Sequence, residues 1–223
     1  VRNKPIRLES GRLIAPASVE RGLWRCFMDI SEDDGKTWQR SNLIEAAGTA
    51  PLEKGLTEWQ QKCARAKAKG HPMDRSQIPP EYQHGRGVIQ PTLWEDQSGV
   101  HALLRSGEGA IYRTDSVDGG FVWSEAYATA MPNNNSGIDL TRLDNGKMLL
   151  VYNPVSQNFG SRSPISIALS SDQGNTWERI CDLEAEPGEF SYPAIVSKEN
   201  HIWITYTYKR ENIAYWEFDW AET

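Results

Sequence analysis

The sequence predicts an all-β fold, a β-propeller with about four blades present, and three observations predict it. The pattern S-x-D-x-G-x-x-W occurs three times, at residues 31–38, 116–123 and 170–177. Each copy follows an alternating apolar run and precedes another strand-like run, so one turn recurs between recurring strands. The strand-and-turn units recur at about 40–50 residues, the length of one four-stranded blade. Nine tryptophans and an aromatic content of 10% also favour β structure.

The repeated turn has a physical reason. Ser31, Ser116 and Ser170 open the copies. Asp33, Asp118 and Asp172 can accept hydrogen bonds from the backbone of their own turns. Gly35, Gly120 and Gly174 supply a conformation that a side chain disfavours. Trp38, Trp123 and Trp177 are large apolar plugs with one N–H to satisfy, suited to packing between sheets. These carboxylates are read as turn-holders, not as catalytic acids.

The first unit covers about residues 4–44. It has strands at 6–8, 13–17 and 24–30, a turn at Ser10 and Gly11, the first motif, and a closing strand at 39–44. The second covers about 88–129, with strands at 89–94, 100–105, 110–114 and 125–129. The third covers about 138–183, with Asp144, Asn145 and Gly146 as a hairpin signal and a strand at 148–152. The fourth starts near Tyr192, with strands at 194–197, 202–208 and 213–218 and no motif after them. Its missing outer strand points to the C-terminal part of a larger propeller. Further blades, or another chain, are then expected to complete the fold, because a fragment of this kind exposes sheet edges. The whole chain, 1–223, reads as one partial propeller domain.

Residues 46–86 interrupt the pattern as a helical and loop insertion. Leu56, Trp59, Cys63 and Ala66 lie at helical spacing, predicting a helix over 56–69, capped by Thr57 and ended by Gly70. A segment with Pro72, Pro79 and Pro80 follows. The insertion is either a decoration packed on the propeller or a wall over its pocket.

A formal net charge of -6 argues against a general nucleic-acid binder. No apolar stretch has membrane length, so no membrane partner is expected. Cys26, Cys63 and Cys181 are widely spaced, and the four histidines do not cluster. No metal site, disulfide framework or cofactor is therefore expected.

In a propeller the inner strands converge on a central axis, and ligands bind at one mouth. Register gives the residues placed there. Gln90, Asn135 and Tyr192 lie at the starts of first strands. Arg105, Asn153 and Tyr208 lie at the ends of second strands. Arg162, and more weakly Arg210, precede third strands. Arginines grip a carboxylate with paired, charge-assisted bonds, and aromatic rings stack on a sugar. The expected ligand is an acidic glycan.

Several segments carry a resemblance to a known family. They are KPIRLESGRL (4–13), GVIQPTLWE (87–95), LLRS (103–106), MPNNNSGIDL (131–140), SRSPISIALSSDQGNTW (161–177) and GEFSYPAIV (188–196). With the three motifs and their order, they resemble the sialidase (neuraminidase) superfamily of BNR/Asp-box repeats, in its bacterial BNR repeat-like branch. The resemblance implies a six-bladed sialidase-like propeller. It also implies an exo-glycosidase in which three arginines hold the substrate carboxylate, a Tyr paired with a Glu is the nucleophile, and an Asp is the acid/base. Arg105 and Arg162 match the second and third arginines, and Tyr192 matches the nucleophile. This chain departs by carrying Gln90 where the Glu partner stands. The resemblance places the first arginine and the acid/base Asp in early blades, which are not expected within these residues. The branch also implies a uronate-directed polysaccharide lyase as an alternative, since Arg105, Arg162 and Tyr192 suit that chemistry without a Glu. A non-catalytic glycan-binding propeller and a protein-interaction propeller are the remaining alternatives.

Overall fold

The alternating apolar runs pair into four antiparallel sheets laid side by side as propeller blades. The structure is a computed structural model and describes residues 3–73, 79 and 85–221. The first blade is β1 (Ile6–Arg7), β2 (Leu13–Val19), β3 (Arg25–Ser31) and β4 (Gln39–Arg40), in that spatial order. The second is β5 (Val88–Asp96), β6 (Gly99–Ser106), β7 (Ala110–Ser116) and β8 (Tyr127–Pro132). The third is β9 (Asp139–Arg142), β10 (Met148–Tyr152), β11 (Ile165–Ser170) and β12 (Glu178–Glu184). The fourth has three strands, β13 (Phe190–Lys198), β14 (His201–Tyr208) and β15 (Asn212–Asp219). This is the all-β, four-blade, sialidase-like arrangement with a single helix among the described residues. Strand β13 starts four residues before the expected strand at 194, so Tyr192 stands inside it.

The apolar cores lie between blades. Ile14, Met28 and Ile30 of blade one pack with Val88, Ile89, Leu104 and Trp123 of blade two. Trp94, Leu103 and Ile111 meet Leu140, Met148 and Leu150 across the second seam. Leu149, Val151 and Ile167 meet Phe190, Ile195 and Ile204 across the third. Among the described residues no core cluster joins blade four to blade one. Ile213, Tyr215 and Trp216 on β15 are exposed.

The three repeated turns have one geometry. Ser31 Oγ donates to Asp33 Oδ1 at 2.8 Å and accepts from the Gly35 N–H at 2.8 Å. The Thr37 N–H donates to Asp33 Oδ1, and Trp38 Nε1 donates to the Gly35 carbonyl at 3.0 Å. The same bonds recur for Ser116, Asp118, Gly120 and Trp123 and for Ser170, Asp172, Gly174 and Trp177. Each carboxylate is occupied by its own turn, and Asp33 is held down at about 2, chiefly by its bonds from Thr37. The glycines have φ of 84°, 98° and 77°, which explains the residue type. Trp123 is 3% exposed in the first seam, whereas Trp38 is 46% exposed. Trp123 and Trp177 each pack toward the preceding blade; Trp38 has no preceding blade among the described residues.

Asp139, 3% exposed on the inner strand β9, ties the blades together near the axis. Its Oδ1 accepts from Thr92 Oγ1 of β5 at 2.9 Å, and its Oδ2 from the Ile195 N–H of β13 at 3.0 Å. Lys4, just before β1, forms an ion pair with the same carboxylate.

Helix α1 runs over Ala50–Ala68, not 56–69. Gly55 hides its first turns from a propensity reading. Thr57 is an interior residue rather than the cap: its Oγ1 donates to the Glu53 carbonyl at 2.9 Å. Thr49 stands at the cap position, and Gly70, with φ of 79°, follows the helix. Arg25 of β3 pins the helix by pairing with both Glu45 and Glu53. Pro72 and Pro79 fall in the described part of the insertion; Pro80, with residues 74–78 and 81–84, lies outside it.

Candidate functional site

Two inner strands deform at the same place. β5 and β13 each carry a register shift, between Ile89 and Thr92 and between Ser191 and Ala194. Gln90 and Tyr192 sit at these bulges, both with φ of 56°, each before a proline. Asn135, before β9, has φ of 64°. Left-handed backbone is unfavourable for non-glycine residues and clusters where a site needs a side chain aimed off the sheet. Three of the inner-strand positions named from register share this conformation.

Arg105, at the end of β6, is 5% exposed. Its Nε donates to Asn135 Oδ1 at 2.8 Å and its Nη1 to Gln90 Oε1 at 3.1 Å. Its guanidinium lies 5.6 Å from the Trp24 ring centre. Among the described residues it has no carboxylate ion pair. Burial lowers its pKa, and the neighbouring Arg162 charge adds to that, against the Tyr192 and Glu20 oxygens.

Arg162 reaches the same place from the loop before β11. Its guanidinium lies 5.2 Å from the Tyr192 ring centre, and its Nη1 donates to Glu189 Oε1 at 2.9 Å. Glu189 also takes Arg210 Nε on Oε2. Tyr192 is 41% exposed. Its partial burial pushes the phenol pKa up, but the charges and hydrogen bonds of Arg105 and Arg162 outweigh this and hold it below the ordinary value. A phenol that ionises readily between two guanidiniums can act as a nucleophile or a proton-transfer group.

Arg105, Arg162, Tyr192, Gln90 and Asn135 therefore stand together. Asn153 stands behind them: its Nδ2 donates to the carbonyls of Arg162, Pro164 and Phe190 at 3.0, 2.8 and 3.0 Å, fixing the Arg162 loop. Tyr208 is turned elsewhere, its hydroxyl donating to Glu186 Oε1 at 2.8 Å. Arg210 joins through Glu189. Sequence reasoning passed over Glu189, although it lies in the quoted segment GEFSYPAIV; its position next to the inner strand was the available signal. It also passed over Trp24 beneath Arg105.

The insertion ends in this wall. Asn135 Nδ2 donates to the Gly85 carbonyl at 3.2 Å and to Asn158 Oδ1 at 3.0 Å. Arg86 pairs with Glu108, and the Trp24 N–H donates to the Arg86 carbonyl. A larger cavity, about 730 Å³, lies at the opposite end of the strands beside the first repeated turn. Its charges pair with one another, Arg7 with Asp34 and Arg12 with Glu32.

Residues 1–204 match the family model described as BNR repeat-like domain. Among solved structures, the chain is similar to a protein of unknown function from Dyadobacter fermentans, with a TM-score of 0.62 and 18% identity over 93% of this chain and 49% of that one. It is similar to the NanB sialidase from Streptococcus pneumoniae, with a TM-score of 0.56 and 18% identity over 92% of this chain and 27% of that one. It is also similar to the intramolecular trans-sialidase from Ruminococcus gnavus, with a TM-score of 0.56 and 17% identity over 94% of this chain and 40% of that one. The chain thus spans half or less of the length of each. Comparison with curated proteins finds no match.

Proposed function

This chain belongs to the BNR repeat-like domain family, and we propose that it is a sialidase-like carbohydrate-active enzyme acting on acidic, sialic- or uronic-acid-bearing glycans as an exo-glycosidase. One observation carries the proposal. Arg105 is a buried cation held by two neutral amides and the Tyr192 hydroxyl, with no carboxylate ion pair among the described residues, beside a second guanidinium. A buried charge without a counter-charge is costly unless a ligand supplies one. A carboxylate fits that place, because it can take paired bonds from a guanidinium fork. Tyr192, already polarised by both arginines, is the nucleophile in this proposal. A phenol, neutral until its proton leaves, approaches an anionic substrate with less repulsion than a free carboxylate would meet. The repeated turns are its Asp-boxes. Arg162 orients the same substrate carboxylate, and Asn135 and Gln90 hold Arg105 in place. The remaining blades, from the same protein or another chain, supply the rest of the binding wall.

Gln90 favours a second proposal. An amide cannot take a proton from Tyr192, which suits a uronate-directed lyase or a glycan-binding propeller that has no such pair. The product separates these. A fluorogenic sialoside and an acidic-glycan panel are incubated with the protein while hydrolysis and new ultraviolet absorbance are followed. Hydrolysis without new absorbance supports the glycosidase. An unsaturated uronate absorbance supports the lyase. Tyr192→Phe lowers turnover by about 100-fold or more, and Arg105→Ala lowers kcat/KM by about 100-fold. Binding that depends on Arg105 but shows no turnover leaves the lectin-like form standing; binding indifferent to Arg105 rejects all three.

A further inference from the structure

A polar cavity of about 200 Å³ opens beside Gln90, lined by Asn3, Pro16, Ala17, Ser18, Glu20 and Pro91. It adjoins the arginine pair, since Gln90 Oε1 is the acceptor of Arg105 Nη1. The two strands that wall it are locked together: the Gln90 N–H donates to Ser18 Oγ at 2.9 Å. Two acceptors here lack donors. Asn3 is 6% exposed, its Nδ2 donates to the Ile138 carbonyl, and its Oδ1 is buried without a hydrogen-bond partner. Glu20 follows the end of β2, is exposed, and makes no hydrogen bond or ion pair among the described residues. The other carboxylates near the mouth are engaged: Glu189 with Arg162 and Arg210, Glu108 with Arg86 and the Gly87 N–H. Glu20 is near enough for its charge to act on Arg105 and on the buried Cys26 thiol.

We infer that this cavity is a second subsite that takes the neutral, hydroxyl-bearing part of the same sugar whose carboxylate lies on Arg105, and that Glu20 makes it reject a second anion. This rests on the acidic-glycan reading of the mouth. Its volume holds roughly one water-excluding group of sugar size, small against the usual range for whole ligands. Hydroxyl donors suit a wall whose open acceptor is the Glu20 carboxylate, whereas a second carboxylate or sulfate meets the Glu20 charge while Arg105 is already occupied by the first. Selectivity then comes from an attractive cation and a repulsive anion placed side by side.

The test is equilibrium binding of glucuronate, a monoanion, and glucarate, the corresponding dianion, to the protein and to its Glu20→Gln and Arg105→Ala variants. Melting temperatures check that each variant is folded; exposure of Glu20 makes its amide substitution structurally mild. The expected result is a preference of the unmodified protein for glucuronate that shrinks about tenfold in Glu20→Gln, while Arg105→Ala weakens both ligands. If Arg105→Ala weakens both but Glu20→Gln leaves the preference unchanged, the subsite inference is overturned and the acidic-glycan reading stands. If Arg105→Ala alters neither, that reading falls and the inference falls with it.

Discussion

At the scale of single residues, the mouth is an arrangement of charge around one phenol. Tyr192 is half-buried between two guanidiniums, and their attraction for the phenolate outweighs its loss of water. The phenol should therefore ionise before ordinary tyrosines, whose unperturbed value is about 10. A pH titration of phenolate absorbance should show one early component, absent in Tyr192→Phe. In Arg105→Ala that component should move to higher pH, because one of the two stabilising cations is gone. A component that stays in place would mean Arg105 does not act on Tyr192. Strand register sufficed to name Arg105, Arg162, Gln90, Asn135 and Tyr192 as neighbours, because matching positions of successive blades meet at one end. Register says which end of a strand a residue occupies, not which way its side chain turns. Asn153 and Tyr208 occupy the same kind of position, yet Asn153 turns to three carbonyls and Tyr208 to Glu186. Glu20 carries no motif at all and shows itself only when β2 and β5 are seen side by side.

At the scale of elements, the repeated turn holds itself and its tryptophan seals a seam. Trp123 is 3% exposed and Trp38 is 46% exposed, although their turns have the same bonds. Trp123→Ala should cost about 3–5 kcal/mol, and Trp38→Ala should fall within about 1 kcal/mol. Denaturant unfolding of the two variants measures the difference; equal losses would contradict packing as the role of Trp123. Identical motifs in the sequence thus differ in energy, because the cost of removing a tryptophan depends on its neighbours in space. The helix was legible in type and at its end, where Gly70 stops it. Its start was not, because Gly55 interrupts the pattern and Thr57 resembles a cap while bonding back to Glu53.

At the scale of the whole molecule, three blades and their order follow from motif spacing, since each motif marks the same turn of its blade, and the fourth follows from its run of strands without a motif. The cross-blade tie at Asp139 was not legible, because its partners come from β5, β13 and the segment before β1. Asp139→Asn removes the charge facing Lys4 and sets an amide donor against a backbone donor. It should destabilise the protein by about 2–3 kcal/mol, read as a lower denaturant midpoint with an unchanged slope. A midpoint within error of the parent's would show that the inner strands hold without this carboxylate.

Because the apolar cores fill the seams rather than the sheets, a blade is a unit of sequence but not a unit of folding. Cutting the gene at a blade boundary, the obvious place to trim an expression clone, would split a core down its middle. Removing β13–β15, for instance, would bare Leu149, Val151 and Ile167, the partners of Phe190 and Ile195. Truncations meant to stay soluble therefore need polar replacements on the newly opened face, or an added blade to cover it.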